Sequence, residues 1–214
     1  MKGKATSGTR SSGKKSVVQP RPTPAELYAA GKKLRDKVPR SSHEMWKAPR
    51  NRPDPLQLME QSNKGRIPEL IPIRHGRMLR TPFTFYRGAA LNMAADLAGT
   101  PVTGLRVQAC GDCHLMNFGS FATPERRLIF DINDMDETLP APWEWDVKRL
   151  AASFVLACRN NGFTEDVASE AVLACVGSYR EHVTLYSRMP ALEGVILEHR
   201  RREIAARSSR RRIA

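Results

Sequence analysis

Residues 110–137 read CGDCHLMNFGSFATPERRLIFDINDMDE, and the reading of this stretch decides the fold. Two motifs overlap in its first eight residues. One is Cys110-x-x-Cys113-His114, the pattern by which c-type haem is held through two thiols and an axial histidine. The other is Asp112-x-His114-x-x-Asn117, followed by the acidic residues Asp131, Asp134 and Asp136. Residues 105–109, 117–121 and 127–132 have strand character, and Ala122-Thr123-Pro124-Glu125 between the last two has turn composition. The last two strands are therefore expected to form a hairpin. Antiparallel strands return the chain to where it began, so the polar loop before the hairpin and the acidic loop after it should emerge at the same end.

Outward from the hairpin the pattern is helical. After Trp143-Glu144-Trp145-Asp146, the residues Val147, Leu150, Ala151, Phe154, Val155 and Cys158 repeat at i, i+3, i+4, i+7, i+8, i+11, which predicts one apolar helix face. Asp146 is the expected N-cap, and Asn160-Asn161-Gly162 the terminator. A second helix is expected over 165–186, with Ala168, Val172, Cys175, Val176 and Tyr179 inward. Upstream, 89–98 reads as a helix ending at Gly99, and 84–88 as a brief extended piece. Residues 67–79 alternate between apolar and basic and end in Arg74, His75, Arg77 and Arg80. Asp54 should cap a short helix opening with Pro55. Residues 40–55 read as an irregular arm, and 24–38 as a helix stopped by Pro39.

The 214 residues suffice for one domain with a core of its own. The net charge of +13 is placed at the ends: residues 1–22 and 199–214 each carry +6, leaving +1 for the interior. These Ser-, Gly- and Arg-rich ends are expected to be mobile, with non-specific contact to nucleic acid through counterion release as their one partner. No apolar run is long enough for a membrane span, and no export signal is seen at the start, so a soluble, cytoplasmic protein without membrane contact is expected. The organisation expected is a basic tail at 1–22, a helical and irregular arm at 23–66, a core at 67–198 and a second basic tail at 199–214. Oligomeric state is not legible.

The haem reading of Cys110-x-x-Cys113-His114 lacks the export signal that such attachment usually needs, and no haem is expected. A redox dithiol wants its first thiol at a helix N-terminus, whereas these thiols lie between strands. A zinc site lacks a second ligand pair at finger spacing. The preferred reading makes Cys110 and Cys113 small packing residues of the loop. Asp112 and Asn117 suit other chemistry. Phosphoryl transfer needs a carboxylate to orient an acceptor hydroxyl, plus an amide and a carboxylate oxygen for magnesium. The hairpin should bring Asp134 beside Asn117. Each of these side chains also has a structural use, Asp112 and Asn117 as turn formers and Asp146 as a cap.

The segments PIRHGRML, PFTFYRG, GDCHLMNFG, FDINDMDETLPAPWEWDVKRLAAS and RNNGF closely resemble the bacterial family known as domain of unknown function 2252. That family has been grouped with the kinase-like superfamily, next to the aminoglycoside and choline phosphotransferases. The resemblance implies an α+β, protein-kinase-like or aminoglycoside-phosphotransferase-like fragment with a central β-hairpin and flanking helices. It implies transfer of a phosphoryl group from ATP, with magnesium, to a hydroxyl of a small molecule or protein. The alternative is a non-catalytic pseudo-kinase or a basic-tailed binding protein. By the same resemblance Asp112 matches the catalytic base, His114 the structural histidine of the loop, and Asn117 and Asp134 the metal ligands. Asp131 competes with Asp134 for its role, and Asp146 matches the aspartate that steadies the catalytic loop. There is no G-x-G-x-x-G, no G-x-x-x-x-G-K-[ST] and no V-A-I-K lysine, so Arg87 and then Arg74 are the candidates for the phosphate-binding cation. Members of the family usually run to about twice this length, beyond the typical single domain, which implies a C-terminally truncated copy.

Overall fold

The computed structural model describes residues 22–190. The basic tails expected at 1–22 and 199–214 lie outside them, Pro22 apart. The chain divides into two units after Lys37. In the first, helix α1 (Pro24–Lys37) starts at a capping box in which the Glu26 carboxylate accepts from the Thr23 amide at 2.7 Å and from its hydroxyl at 2.8 Å.

The second unit is α+β. Its helices are α2 (Pro55–Ser62), α3 (Ile71–Met78), α4 (Pro82–Arg87), α5 (Ala90–Leu97), α6 (Trp143–Asn160) and α7 (Glu165–Tyr186). Its strands are β1 (Arg106–Ala109), β2 (Phe118–Ala122), β3 (Leu128–Ile132) and β4 (Leu139–Pro142). They form two antiparallel ribbons, β2 with β3 and β1 with β4. The hairpin forms as the sequence predicts, with Phe118 opposite Ile132 and Ala122 opposite Leu128. Its turn closes through Arg126 at φ 60.

Strand β4 is absent from the sequence reading because Pro140 and Pro142 argue against a strand. Two prolines at alternate positions place both ring nitrogens on the same edge, the one facing away from β1, so no ladder donor is lost. Residues 84–88 are not extended. Residues 84–87 lie in α4 and Gly88 is its C-cap; Thr81 starts the helix with a capping box, its hydroxyl accepting from the Thr84 amide at 3.2 Å while the Thr84 hydroxyl accepts from the Thr81 amide at 2.9 Å. With Pro82 at the first position, these caps outweigh the β-propensity of Phe83, Thr84 and Tyr86. The alternation at 67–79 likewise folds as a short 3-10 turn (Pro68–Leu70) and α3. Asp54 caps α2 as expected, accepting from the Leu56 amide at 2.9 Å.

Helix α6 ends in the Schellman arrangement that Gly162 permits at φ +75, with the Phe163 amide donating to the Cys158 carbonyl at 2.9 Å. Its start departs from expectation. The N-cap is Pro142, with no side-chain cap, and Asp146 stands one turn inside, bonded elsewhere. The most deeply buried residues of α6 are also not the predicted apolar set. Glu144, Arg149 and Ser153 are 3 %, 2 % and 0 % exposed, whereas Val147, Leu150 and Phe154 are only half-buried. Helix α7 packs on α6 through Ala168, and Tyr179 stacks on Trp143 with ring centroids 6.0 Å apart. Of its expected inward residues, Val172 and Cys175 are half-buried and Val176 and Tyr179 are exposed. A helix packed mainly on one neighbour buries only a narrow stripe.

Candidate functional site

Helix α6 reads the polar loop in order. The Glu144 carboxylate accepts from the amide and hydroxyl of Thr103, both at 2.7 Å. Two residues on, the Asp146 carboxylate accepts from the backbone amides of Cys110 at 2.7 Å and Gly111 at 3.1 Å. Arg149 then reaches Asp112, its Nε donating to Oδ1 at 2.9 Å and its Nη2 to the same oxygen. Ser153 Oγ accepts from the Leu115 amide at 2.9 Å. From Glu144 to Ser153 the helix rises about 14 Å, and along that length it fixes the chain from 103 to 115. Each bond satisfies a backbone or carboxylate group that burial would otherwise leave bare, at about 1–3 kcal/mol apiece.

Sharp turning inside the loop depends on Gly111, at φ +79. A Cβ there would also strike the carbonyl of Glu137, so no other residue fits without displacement. The next residue, Asp112, is enclosed. Burial would raise its carboxyl, but His114 and the Arg149 guanidinium together hold it below the usual carboxylate range. His114, 6 % exposed, lies with Nε2 3.5 Å from Asp112 Oδ2. Arg149 is itself seated on Tyr86, with its guanidinium carbon 4.5 Å from the ring centroid and Nη2 donating to the Tyr86 carbonyl at 2.9 Å. The Tyr86 hydroxyl returns the bond to the Arg149 carbonyl at 2.9 Å, and burial pushes its pKa up to about 12.

Asn117 joins the loop to the far side of the hairpin. Its Nδ2 donates to the carbonyls of Asp134 at 2.9 Å and Asp112 at 3.1 Å, and contacts Cys110 Sγ at 3.6 Å. Its Oδ1 accepts from the Asp134 amide at 3.0 Å. Both the loop before the hairpin and the loop after it therefore meet at one end, on one buried side chain. The Asp134 carboxylate is exposed and accepts from the Asp136 amide at 3.1 Å, while Asp131 Oδ1 accepts from the Ile132 amide at 2.9 Å. The neighbouring thiol pulls Cys110 below the usual thiol range, and the Cys110 thiol together with burial pushes Cys113 above it.

Of the residues singled out by sequence, Asp112, His114, Asn117, Asp134 and Asp146 share this one network. The two arginines do not enter it. Arg74 donates to Asn63 Oδ1 at 2.9 Å and to the Gly88 carbonyl at 2.7 Å, tying α2 to the end of α4, and Arg87 is solvent-exposed at the last residue of α4. Sequence reasoning missed Arg149, Ser153, Glu144 and Tyr86. The signal was present: Arg149 and Ser153 stand four apart and in line with Ala157, a polar stripe flanked by apolar residues on both sides. Among the described residues no three His, Cys, Asp or Glu side chains group closely enough to hold a metal, and no helix is long and apolar enough to cross a membrane.

The fold and site define an α+β protein built round a polar loop that one helix clamps along its length. Residues 66–213 match the family described as an uncharacterized protein conserved in bacteria, domain of unknown function 2252, and the chain belongs to it. No curated protein and no solved structure matches the chain.

Proposed function

We propose that this protein transfers a phosphoryl group from ATP, with magnesium, to a hydroxyl of a small molecule or protein, at a kinase-like site around Asp112. The observation that carries the reading is the Asn117 side chain, which holds the carbonyl of Asp112 and both backbone groups of Asp134 at once. It joins the proposed acceptor-binding carboxylate to the proposed metal-binding loop. Arg149 engages only Oδ1 of Asp112, while Oδ2 faces His114 Nε2 at 3.5 Å, so a hydroxyl hydrogen received there would share Oδ2 with the imidazole. Because its carboxyl is held low, Asp112 is ionised at neutral pH and orients the hydroxyl more than it removes its proton. That suits a loose transition state with little covalent chemistry for the protein to perform.

The donor set fits magnesium in kind. Asp134, Asp131 and the amide oxygen of Asn117 are hard oxygen ligands, and Asn117 Oδ1 retains one lone pair beside its bond to the Asp134 amide. Phosphate and water oxygens would complete the shell, and the bound ion would neutralise charge on the phosphates. Arg87 is the cation proposed for the phosphates, since Arg74 is already engaged within the fold.

A second reading, a pseudo-kinase or binding protein without turnover, is favoured by one feature. Asp112 Oδ1 and the Asn117 amide are already engaged by the protein itself. Calorimetry of ATP binding and an ADP-release assay on the full chain separate the two. For the enzyme, ATP binding requires magnesium and is lost in Asp134→Ala, while Asp112→Ala binds ATP but turns over about 100-fold or more slowly. Binding without turnover in the unaltered chain selects the second reading, and no binding at all sinks both.

A further inference from the structure

Away from the polar loop, an open groove of about 450 Å³ lies between the turn from α3 to α4 and Leu156 of α6. Its volume is that of a small-molecule site. Leu79, Pro82, Phe85 and Leu156 give it apolar walls, and Arg80 is the one charged side chain that lines it. Leu79 is 82 % exposed and Phe85 37 %, so apolar surface meets water there. The walls are preformed. Pro82 and the Thr81 capping box fix the start of α4, and α3 and α4 touch so closely that a Cβ at Gly88 would strike Met78 Sδ. The charge around the groove is of one sign. No acidic residue occurs from 70 to 95, while Arg74, Arg77, Arg80 and Arg87 all fall in that run. Arg74 is engaged within the fold, and no carboxylate of the described residues pairs with the other three.

We propose that this groove binds a small carboxylate with an apolar tail, of the medium-chain fatty-acid kind. The Arg80 guanidinium offers a planar fork of N–H donors that matches the two oxygens of one carboxylate, and its single charge balances one negative charge. The tail lies along Leu79, Phe85 and Leu156, where each methylene taken out of water adds to affinity. A neutral ligand leaves Arg80 without a partner, and a cationic one meets four arginines and no acid. Tyr86 also lines the groove, and it seats Arg149 with its ring and its carbonyl. Only Tyr86 and Arg149 thus stand between a ligand in the groove and Asp112, so occupancy bears on the arginine that holds the loop.

Calorimetric titration of the full chain with octanoate, and with octanol as its uncharged counterpart, tests the site. Octanoate should bind about tenfold or more tightly than octanol, as a charge-assisted hydrogen bond to Arg80 requires. Affinity should rise about two- to fourfold per methylene from hexanoate to decanoate. Arg80→Gln should bring octanoate down to the level of octanol and leave octanol unchanged. Leu79→Asp, at a position too exposed to support the fold, should weaken both. Arg77→Gln, on α3 but outside the groove, and Leu173→Asp, on α7, should bind octanoate like the unaltered chain. Equal weakening by Arg77→Gln and Arg80→Gln would mean diffuse charge attraction and overturns the proposal. So does octanoate that binds no more tightly than octanol. Binding to anionic phospholipid vesicles with no saturation by octanoate at about 1 mM also overturns it, and assigns the surface to a bilayer instead. These readouts need no nucleotide, so they stand or fall apart from phosphoryl transfer.

Discussion

Arg149 and Asp112 form a pair in which the arginine is 2 % exposed and the carboxylate sits against it and His114. Removing one partner of such a pair strands the other charge in a poorly solvated place. Arg149→Met should therefore cost about 3–5 kcal/mol of stability, and Arg149→Met/Asp112→Asn should recover part of that loss, as urea unfolding would show. The pair also sets a pH dependence. The folded carboxyl of Asp112 lies below its ordinary value of 3.8. A depressed folded pKa contributes stability that is complete above the ordinary value and is lost as pH falls through the folded one. The unfolding free energy of the unaltered chain minus that of Asp112→Asn should accordingly stay level from neutral pH down to about 4 and shrink below it. A gap that instead widens on acidification would contradict the assigned pairing.

At the scale of elements, two devices place the site. Thr81 starts α4, and α4 brings Tyr86 under Arg149. Thr81→Ala removes the hydroxyl arm of the capping box and leaves the arm from the residue 81 amide to the Thr84 hydroxyl, so about 1 kcal/mol of stability should go with it in thermal or urea unfolding. The larger device is α6, whose Asp146 holds two consecutive amides of the loop with charge-assisted bonds. In Asp146→Asn one acceptor and the charge are lost. Hydrogen exchange at Cys110 and Gly111 should then speed up by about tenfold or more while amides in the middle of α6 keep their protection. Equal acceleration throughout would mean that Asp146 supports the whole unit and not the loop in particular.

Across the second unit, the deepest positions are held by polar side chains and by alanines, Ala109, Ala141 and Ala168 among them. Arg149 and Ser153 are the largest side chains below 2 % exposure or at that limit, and the apolar cluster of Met59, Met78 and Ala89 is small. The unit is organised round hydrogen bonds that position a loop, and packing is arranged about them. Meanwhile Leu173 and Val183 of α7 remain 73 % and 47 % exposed among the described residues, far from the pattern of a closed helical pair.

The sequence alone determined the elements whose causes are local. Asp54 with Pro55, Gly162, the 3.6-residue period of α6 and α7 and the turn after Ala122 each act within a few residues, and all are legible without a neighbour. The meeting of Asn117 with Asp134 was legible too, because a hairpin dictates it. What only the tertiary structure decided was the use made of residues distant in sequence. Asp146, a cap by its position, becomes a clamp because the amides of Cys110 and Gly111 lie beside it. Arg149, surface-like by composition, is buried because Asp112 and Tyr86 surround it. Residues 84–87 become helical through Thr81, and β4 forms despite its prolines because β1 approaches the edge where they need no donor. A side chain's own chemistry fixes what it can bond to, and the fold alone fixes which partner arrives.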